Sequence, residues 1–191
     1  MALHFSKEEF QKRKVDVLKS MKEQNLDILL MFRQESMYWL TGYDTFGYVF
    51  FQTLILDKNG SVILLTRAPD LRQAQNTSNI QDIRIWVDKD GSNPTDDLKV
   101  ILNELNSKGK KIGVEYEAYG MTGRNALRLN KSLENYCEIE DQSELITKFR
   151  VVKSKEEILY VRKAANLADN ALEEAWKYTK AGASEAKILA E

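Results

Sequence analysis

Residues 150–191 read RVVKSKEEILYVRKAANLADNALEEAWKYTKAGASEAKILAE. Ser154 followed three residues later by Glu157 is a capping box, so a helix opens here. Behind it Ile158, Val161, Ala165, Ala168, Leu172 and Ala175 recur at spacings of three and four. That is a continuous apolar seam, rich in alanine and suited to close packing against another element. GASE (182–185) recaps the chain, and a further helix runs to Glu191 without a glycine or proline to stop it. Two readings are open: an accessory helix folded back on what precedes it, or the opening of a second domain. The unfinished second helix favours the latter.

Upstream, the pattern is that of an α/β domain. SKEEFQKRKVDVLKSMKEQN (6–25) predicts a helix capped by Ser6 with Glu9, its inward stripe being Phe10, Lys14, Val17, Leu18 and Met21. LDILLMF (26–32) is apolar on both faces, the mark of a central strand. SMYWLTGY (36–43) predicts one or two helical turns ended by Gly42. YVFFQTLILD (48–57), a KNG turn and SVILLT (61–66) form a hairpin signature. APDLRQAQNT (68–77) predicts a short helix with Pro69 in its first turn, and IRIWV (83–87) a strand. NPTDDLKVILNELNSKG predicts a helix with Leu98, Ile101, Leu102 and Leu105 inward and Gly109 terminating it. KIGVE (111–115), TGRNALRLNKSLEN (122–135) and YCEIED (136–141) complete the series as strand, helix and strand. The expectation is a three-layer sandwich around a mixed sheet, the hairpin giving antiparallel pairs and the crossovers parallel ones.

The inventory of residues excludes much chemistry. The chain has 191 residues and a net charge of -1, with 43% hydrophobic and 30% charged residues. Such a balance attracts neither nucleic acid nor an acidic membrane. Basic runs such as Lys12-Arg13-Lys14 read as solvated helix faces. No apolar run approaches a membrane span, and the charged start MALHFSKEEF is no signal peptide. Cys137 is the only cysteine, which forbids an intrachain disulfide, suits a reducing cytoplasm and reads as a structural thiol. His4 is the only histidine and precedes the first regular element, a poor place for a triad imidazole. One histidine and one cysteine far apart do not make a zinc site. No phosphate-binding glycine motif occurs, and GMTG (120–123) reads as a turn.

Three segments carry a resemblance. MYWLTGYD is similar to the N-[IM]-x-Y-L-T-G-[FY] segment of the creatinase/prolidase family, the pita-bread metallopeptidases and their relatives. KIGVE resembles a strand of the same family, and FRVVKSKEEILYVRKAANLAD resembles the hinge joining its two domains. Ser36 stands where many members have asparagine, a change expected to alter a local cap and not the fold. The resemblance implies an amino-terminal α/β domain over residues 1–148, with 149–191 as hinge and opening helices of a truncated catalytic pita-bread domain. In the peptidase members that missing domain holds two divalent metals (Mn, Co or Zn) on Asp, Asp, His, Glu and Glu. None of that set is expected in this chain, which should need no cofactor of its own and be inactive alone.

By this resemblance the parent protein is an Xaa-Pro dipeptidase-like hydrolase, cytoplasmic and homodimeric. The present chain is then its dimerising and active-site-capping half, partnered by its own catalytic domain and by a dipeptide or small-molecule substrate. The loop after Gly42 would reach the active site of the partner subunit, placing Tyr43, Asp44, Phe46 and Tyr48 near substrate, with Gly47 lending flexibility. Its aromatic faces suit a small ring and its carboxylate an amine. Phe50 and Phe51, inside the expected strand, read as core. A creatinase- or ectoine-hydrolase-like enzyme cleaving a C–N bond in a small zwitterion is the alternative, since aromatic side chains also suit a cationic ligand. A non-catalytic binding module is the third.

Overall fold

A strand with no polar alternation must be covered on both faces, and β1 (Ile28–Met31) has all four residues buried. The computed structural model describes residues 3–190. The chain divides into two compact units, Met1–Arg150 and Val151–Glu191. In the first, β1 is joined by β2 (Thr53–Asp57), β3 (Val62–Arg67), β4 (Asp82–Trp86), β5 (Lys111–Val114) and β6 (Glu138–Asp141). They form one six-stranded sheet in the order β4-β3-β2-β1-β5-β6. β2 pairs antiparallel with both β1 and β3, whereas β1–β5, β3–β4 and β5–β6 are parallel. Every strand but β2 therefore ends at the same edge of the sheet.

The period of two in β1 divides the core. Ile28, Leu30 and Phe32 face one layer, where Leu98, Ile101 and Leu102 of α4 (Pro94–Glu104) and Leu129 and Leu133 of α5 (Gly123–Leu133) pack. Leu29 and Met31 face the other, with Val17 and Met21 of α1 (Lys7–Glu23) and Met37, Trp39 and Leu40 of α2 (Gln34–Thr41). Ala74 of α3 (Leu71–Thr77) and Leu145 and Ile146 of α6 (Leu145–Val151) close that layer. The mixed-sheet sandwich is as the sequence implies.

Four local expectations differ. In α1 the stripe takes Arg13, only 2% exposed, in place of Lys14. Its guanidinium donates to the Trp39 carbonyl at 2.8 Å and lies over the Phe5 and Trp39 rings, so the middle of the basic run is core. β2 begins five residues late, because Gly47–Val49 close a 3-10 turn first. α4 ends at Glu104, where Asn106 takes the left-handed conformation expected of Gly109. α6 has too few inward residues to show a period and is absent from the sequence reading.

The second unit holds α7 (Lys155–Tyr178) and α8 (Glu185–Ala190). The Ser154–Glu157 capping box is formed in both directions, with Ser154 N–H donating to Glu157 Oε2 at 2.7 Å. No residue of α7 is buried.

The turn from β1 into α2 poses the sharpest satisfaction problem. Phe32 and Arg33 have just left the strand, and the N-cap Arg33 has no short side chain with which to cap the helix. Glu115, the residue after β5, supplies the acceptor: its Oε2 takes the N–H groups of Phe32 (3.1 Å) and Arg33 (3.0 Å). Ser36 donates to Oε1 at 2.6 Å. Burial pushes the Glu115 carboxyl up to about 7, against the opposing pull of the Ser36 hydroxyl and the Arg33 N–H. The protonated acid can keep all three contacts, since its O–H can donate to Ser36 while the other oxygen still accepts both amides.

A carboxyl raised in the folded state lends stability that is full below its unfolded value and is lost as pH rises through about 7. We expect denaturant titrations to show stability falling between pH 4.5 and 7, by on the order of 3 kcal/mol at most from this group. Glu115→Gln mimics the acid and should flatten that slope. Glu115→Ala, which orphans two amides and a hydroxyl, should cost roughly 2–4 kcal/mol throughout. Equal losses in both variants would show that the charge itself is required.

Candidate functional site

The shared strand edge collects the loops that follow β1, β3 and β5, and with them the side chains of chemical interest. From β1, Arg33 extends its guanidinium across the edge: Nη2 meets the Glu117 carboxylate at 2.6 Å, Nε the Glu117 carbonyl at 2.9 Å, and Nη1 the Thr147 hydroxyl at 2.6 Å. One cation thus joins the β1–α2 turn, the β5–α5 loop and α6. Arg33, Glu35, Tyr116, Glu117, Ala118 and Tyr119 line an open cleft of about 430 Å³.

Next to it the 43–52 segment descends into β2. Tyr48 packs edge-to-face on Tyr119, with ring centroids 5.5 Å apart. The two loops touch closely because Gly120 has no side chain: a Cβ there would sit 2.3 Å from the Phe50 carbonyl oxygen. The Phe51 carbonyl accepts from Trp86 Nε1 at 2.9 Å, fixing the segment to β4. What remains outward is apolar and mostly aromatic: Phe46 is 88% and Tyr119 75% exposed, with Val49 and Phe50 partly so.

The four residues singled out in the sequence separate here. Tyr43 is fully buried. Its hydroxyl donates to Gln52 Oε1 at 2.9 Å and lies 3.4 Å from the Thr66 hydroxyl, and burial pushes its pKa up. Such a side chain has no surface with which to meet a substrate, so the loop's outward groups are Asp44, Phe46 and Tyr48. Asp44 is exposed, 3.5 Å from Gln34 Nε2, with its N–H held by Thr77. Gly47 is not a flexible joint: it is buried, and a Cβ there would lie 2.4 Å from an Asp70 carboxylate oxygen. Phe51 is core, but Phe50 is not; its ring stays partly exposed with the Arg67 guanidinium 3.4 Å from its centre.

Sequence reasoning missed Arg33, Arg67, Asp70, Glu117 and Tyr119. None sits in a motif, and each gains its meaning only when the sheet brings distant loops to one edge. The other candidates are accounted for locally. His4 Nδ1 lies 2.7 Å from the Tyr38 hydroxyl. Cys137 is half-buried against the core, its thiol pushed up by burial. At the start of α5, Thr122 caps Asn125 N–H, and Asn125 Nδ2 donates to the Gly120 carbonyl. Among the described residues, no group of three or more His, Cys, Asp or Glu could hold a metal ion. No described helix is long and apolar enough to cross a membrane.

Residues 13–152 match the creatinase/prolidase N-terminal domain. The chain belongs to that family. In it the amino-terminal domain packs against a catalytic domain, in enzymes of the metal-dependent pita-bread class; the residues described here do not themselves fit a metal centre. An uncharacterised hydrolase/peptidase, y4tM, of Sinorhizobium fredii is 28% identical over 98% of the chain and 50% of its own length. Ectoine hydrolase of Halomonas elongata is 24% identical over 100% of the chain and 49% of its own. The chain thus spans about half the length of the curated relatives it matches. Among solved structures, prolidase from Thermococcus sibiricus superposes with a TM-score of 0.74 at 19% identity, over 94% of this chain and 47% of that one. That likeness establishes the shared fold of the creatinase/prolidase domain.

The two loop glycines give a direct check on this packing. At Gly120 an added methyl meets backbone, whereas at Gly47 it meets the end of a side chain. We expect Gly120→Ala to destabilise the chain by about 1–3 kcal/mol and more than Gly47→Ala, measured by chemical denaturation. The reverse order would mean that the Asp70 carboxylate, not the Phe50 backbone, is the rigid partner.

Proposed function

We propose that this chain is the dimerising and active-site-capping amino-terminal domain of an Xaa-Pro dipeptidase-like hydrolase, with residues 149–191 as hinge and opening helices of the catalytic domain. The observation that carries the reading is the outward aromatic rim at the strand edge, above all Phe46. A phenylalanine this exposed on a loop otherwise fastened by buried contacts is costly to keep in water unless a second surface covers it. Asp44 beside it offers a carboxylate to a substrate or partner ammonium. The seam of α7 agrees with the two-domain reading, because Ile158, Val161 and Leu172 are all exposed and would be covered by the rest of a catalytic domain. On this reading the hydrolytic chemistry, with its two divalent metals, belongs to that domain, and the parent enzyme works as a cytoplasmic homodimer.

The relationship to ectoine hydrolase favours a second reading, in which the same rim covers a catalytic site that opens a C–N bond in a small zwitterion. Turnover assays of the two-domain protein on Xaa-Pro dipeptides and on ectoine decide between them. The isolated chain should cleave neither, with or without manganese or zinc, and metal-dependent turnover that survives repurification would contradict the proposal.

In the two-domain protein, Asp44→Ala and Phe46→Ala should lower kcat/KM by about tenfold to a hundredfold without changing metal content. In the chain alone the same variants should stay within about 1 kcal/mol of wild-type stability, as exposed positions do. Unaltered kinetics joined to a marked loss of stability would make these residues structural.

A further inference from the structure

The rim is exposed, and beneath the segment that bears it, beside the Gln73 side-chain oxygen that accepts the Phe46 N–H at 3.4 Å, lies one buried ion pair. Arg67, at the end of β3, places Nε and Nη2 each 3.1 Å from Asp70 Oδ2. The side chains are 14% and 8% exposed, so water does little to screen the pair. The flat face of the guanidinium lies 3.4 Å from the centre of the Phe50 ring, closing the pair off on the side of the rim. The Asp70 carboxylate in turn backs onto the loop: Oδ1 lies 3.5 Å from the Thr45 hydroxyl, which accepts the Gly47 N–H at 2.8 Å. The absence of a side chain at Gly47 is what lets that carboxylate approach. Both ends of the 45–50 segment, Thr45 and Phe50, therefore meet the same pair of charges.

We propose that Arg67 is a positioning residue, which with Asp70 clamps residues 45–50 so that Phe46 and Tyr48 stand outward at the strand edge in one fixed arrangement. Its functional meaning rests on the capping role proposed above. A planar, bidentate-capable cation is needed because one group must meet a carboxylate in its plane and an aromatic ring on its face. An ammonium has no plane and face to divide between them.

Hydrogen–deuterium exchange of this 191-residue chain tests the clamp directly. Arg67→Met should speed exchange of the Phe46, Gly47 and Phe50 amides at least about tenfold while β1 and β5 keep their protection. Arg67→Lys should resemble Arg67→Met and fail to rescue. Should Arg67→Met not fold, Asp70→Asn and Phe50→Leu loosen the clamp from its other two sides and should speed the same amides. Unchanged exchange at these amides in folded variants overturns the proposal. Kinetics of the two-domain protein separate the clamp from the capping role. Faster exchange in Arg67→Met with normal turnover in Phe46→Ala keeps the clamp and removes the capping. Impaired turnover in Phe46→Ala with unchanged exchange in Arg67→Met removes the clamp alone.

Discussion

The Glu115 carboxyl is the point on which the arrangement of the domain turns. β1 passes into α2 with almost no loop, so two backbone N–H groups leave the sheet inside the protein and before the helix can use them. A buried amide without a partner costs about as much as the whole benefit of several ordinary hydrogen bonds. The chain solves this from a distance: the acceptor for Arg33 comes from a residue 82 positions away. Because that acceptor follows β5 directly, the β1–β5 pairing and the direction of α2 become one problem with one solution. The orientation of α2 then fixes Gly42 and the start of the rim loop. The same turn holds the backbone of Arg33, whose guanidinium reaches the β5–α5 loop and α6.

A buried carboxyl displaced this far towards neutrality often marks a catalytic acid or base. Glu115 has the displacement without the opportunity. Both oxygens are engaged by groups of the domain itself, and the side chain is fully enclosed. The other strongly placed charges are spent in the same way: Arg13 on Glu9 and the Trp39 carbonyl, Arg67 on Asp70, Arg33 on Glu117 and Thr147. What the domain leaves outward at the strand edge is surface: aromatic rings, Val49, and the Glu35 and Asp44 carboxylates. On the proposed function, that outward surface is the part that covers or docks.

The sequence discloses whatever depends on neighbours along the chain. The all-apolar run at 28–32, the KNG turn, the stop at Gly42 and the Ser154–Glu157 box are local signals, and each has its counterpart in the structure. It conceals what depends on approach in space. Arg13 reads as solvent-facing because its neighbours are lysines, yet it turns to an aromatic pocket formed by Phe5 and Trp39. Phe50 reads as core because it lies inside the strand expected over 48–57, although a 3-10 turn just before it changes which ring points inward. Tyr43 reads as part of a surface loop, and the polar partners Gln52 and Thr66 that draw it inside lie just before β2 and within β3. Gly47 and Gly120 could be seen as glycines, but the close approaches that require them belong to the folded chain.

An exposed aromatic rim is useful for covering another surface only if it does not have to be ordered at the moment of contact. Immobilising a flexible side chain at an interface costs about 0.5–1.5 kcal/mol, and ordering a loop adds backbone entropy for each residue. Here that ordering is done in advance by groups facing the other way. Trp86 holds the Phe51 carbonyl, Gly120 admits the Phe50 carbonyl, and the Arg67–Asp70 pair holds the inner face of the same short segment. The buried charges and the exposed rings are therefore two sides of one device: the inner side carries the polar satisfaction, which leaves the outer side free to be apolar and still keep its shape.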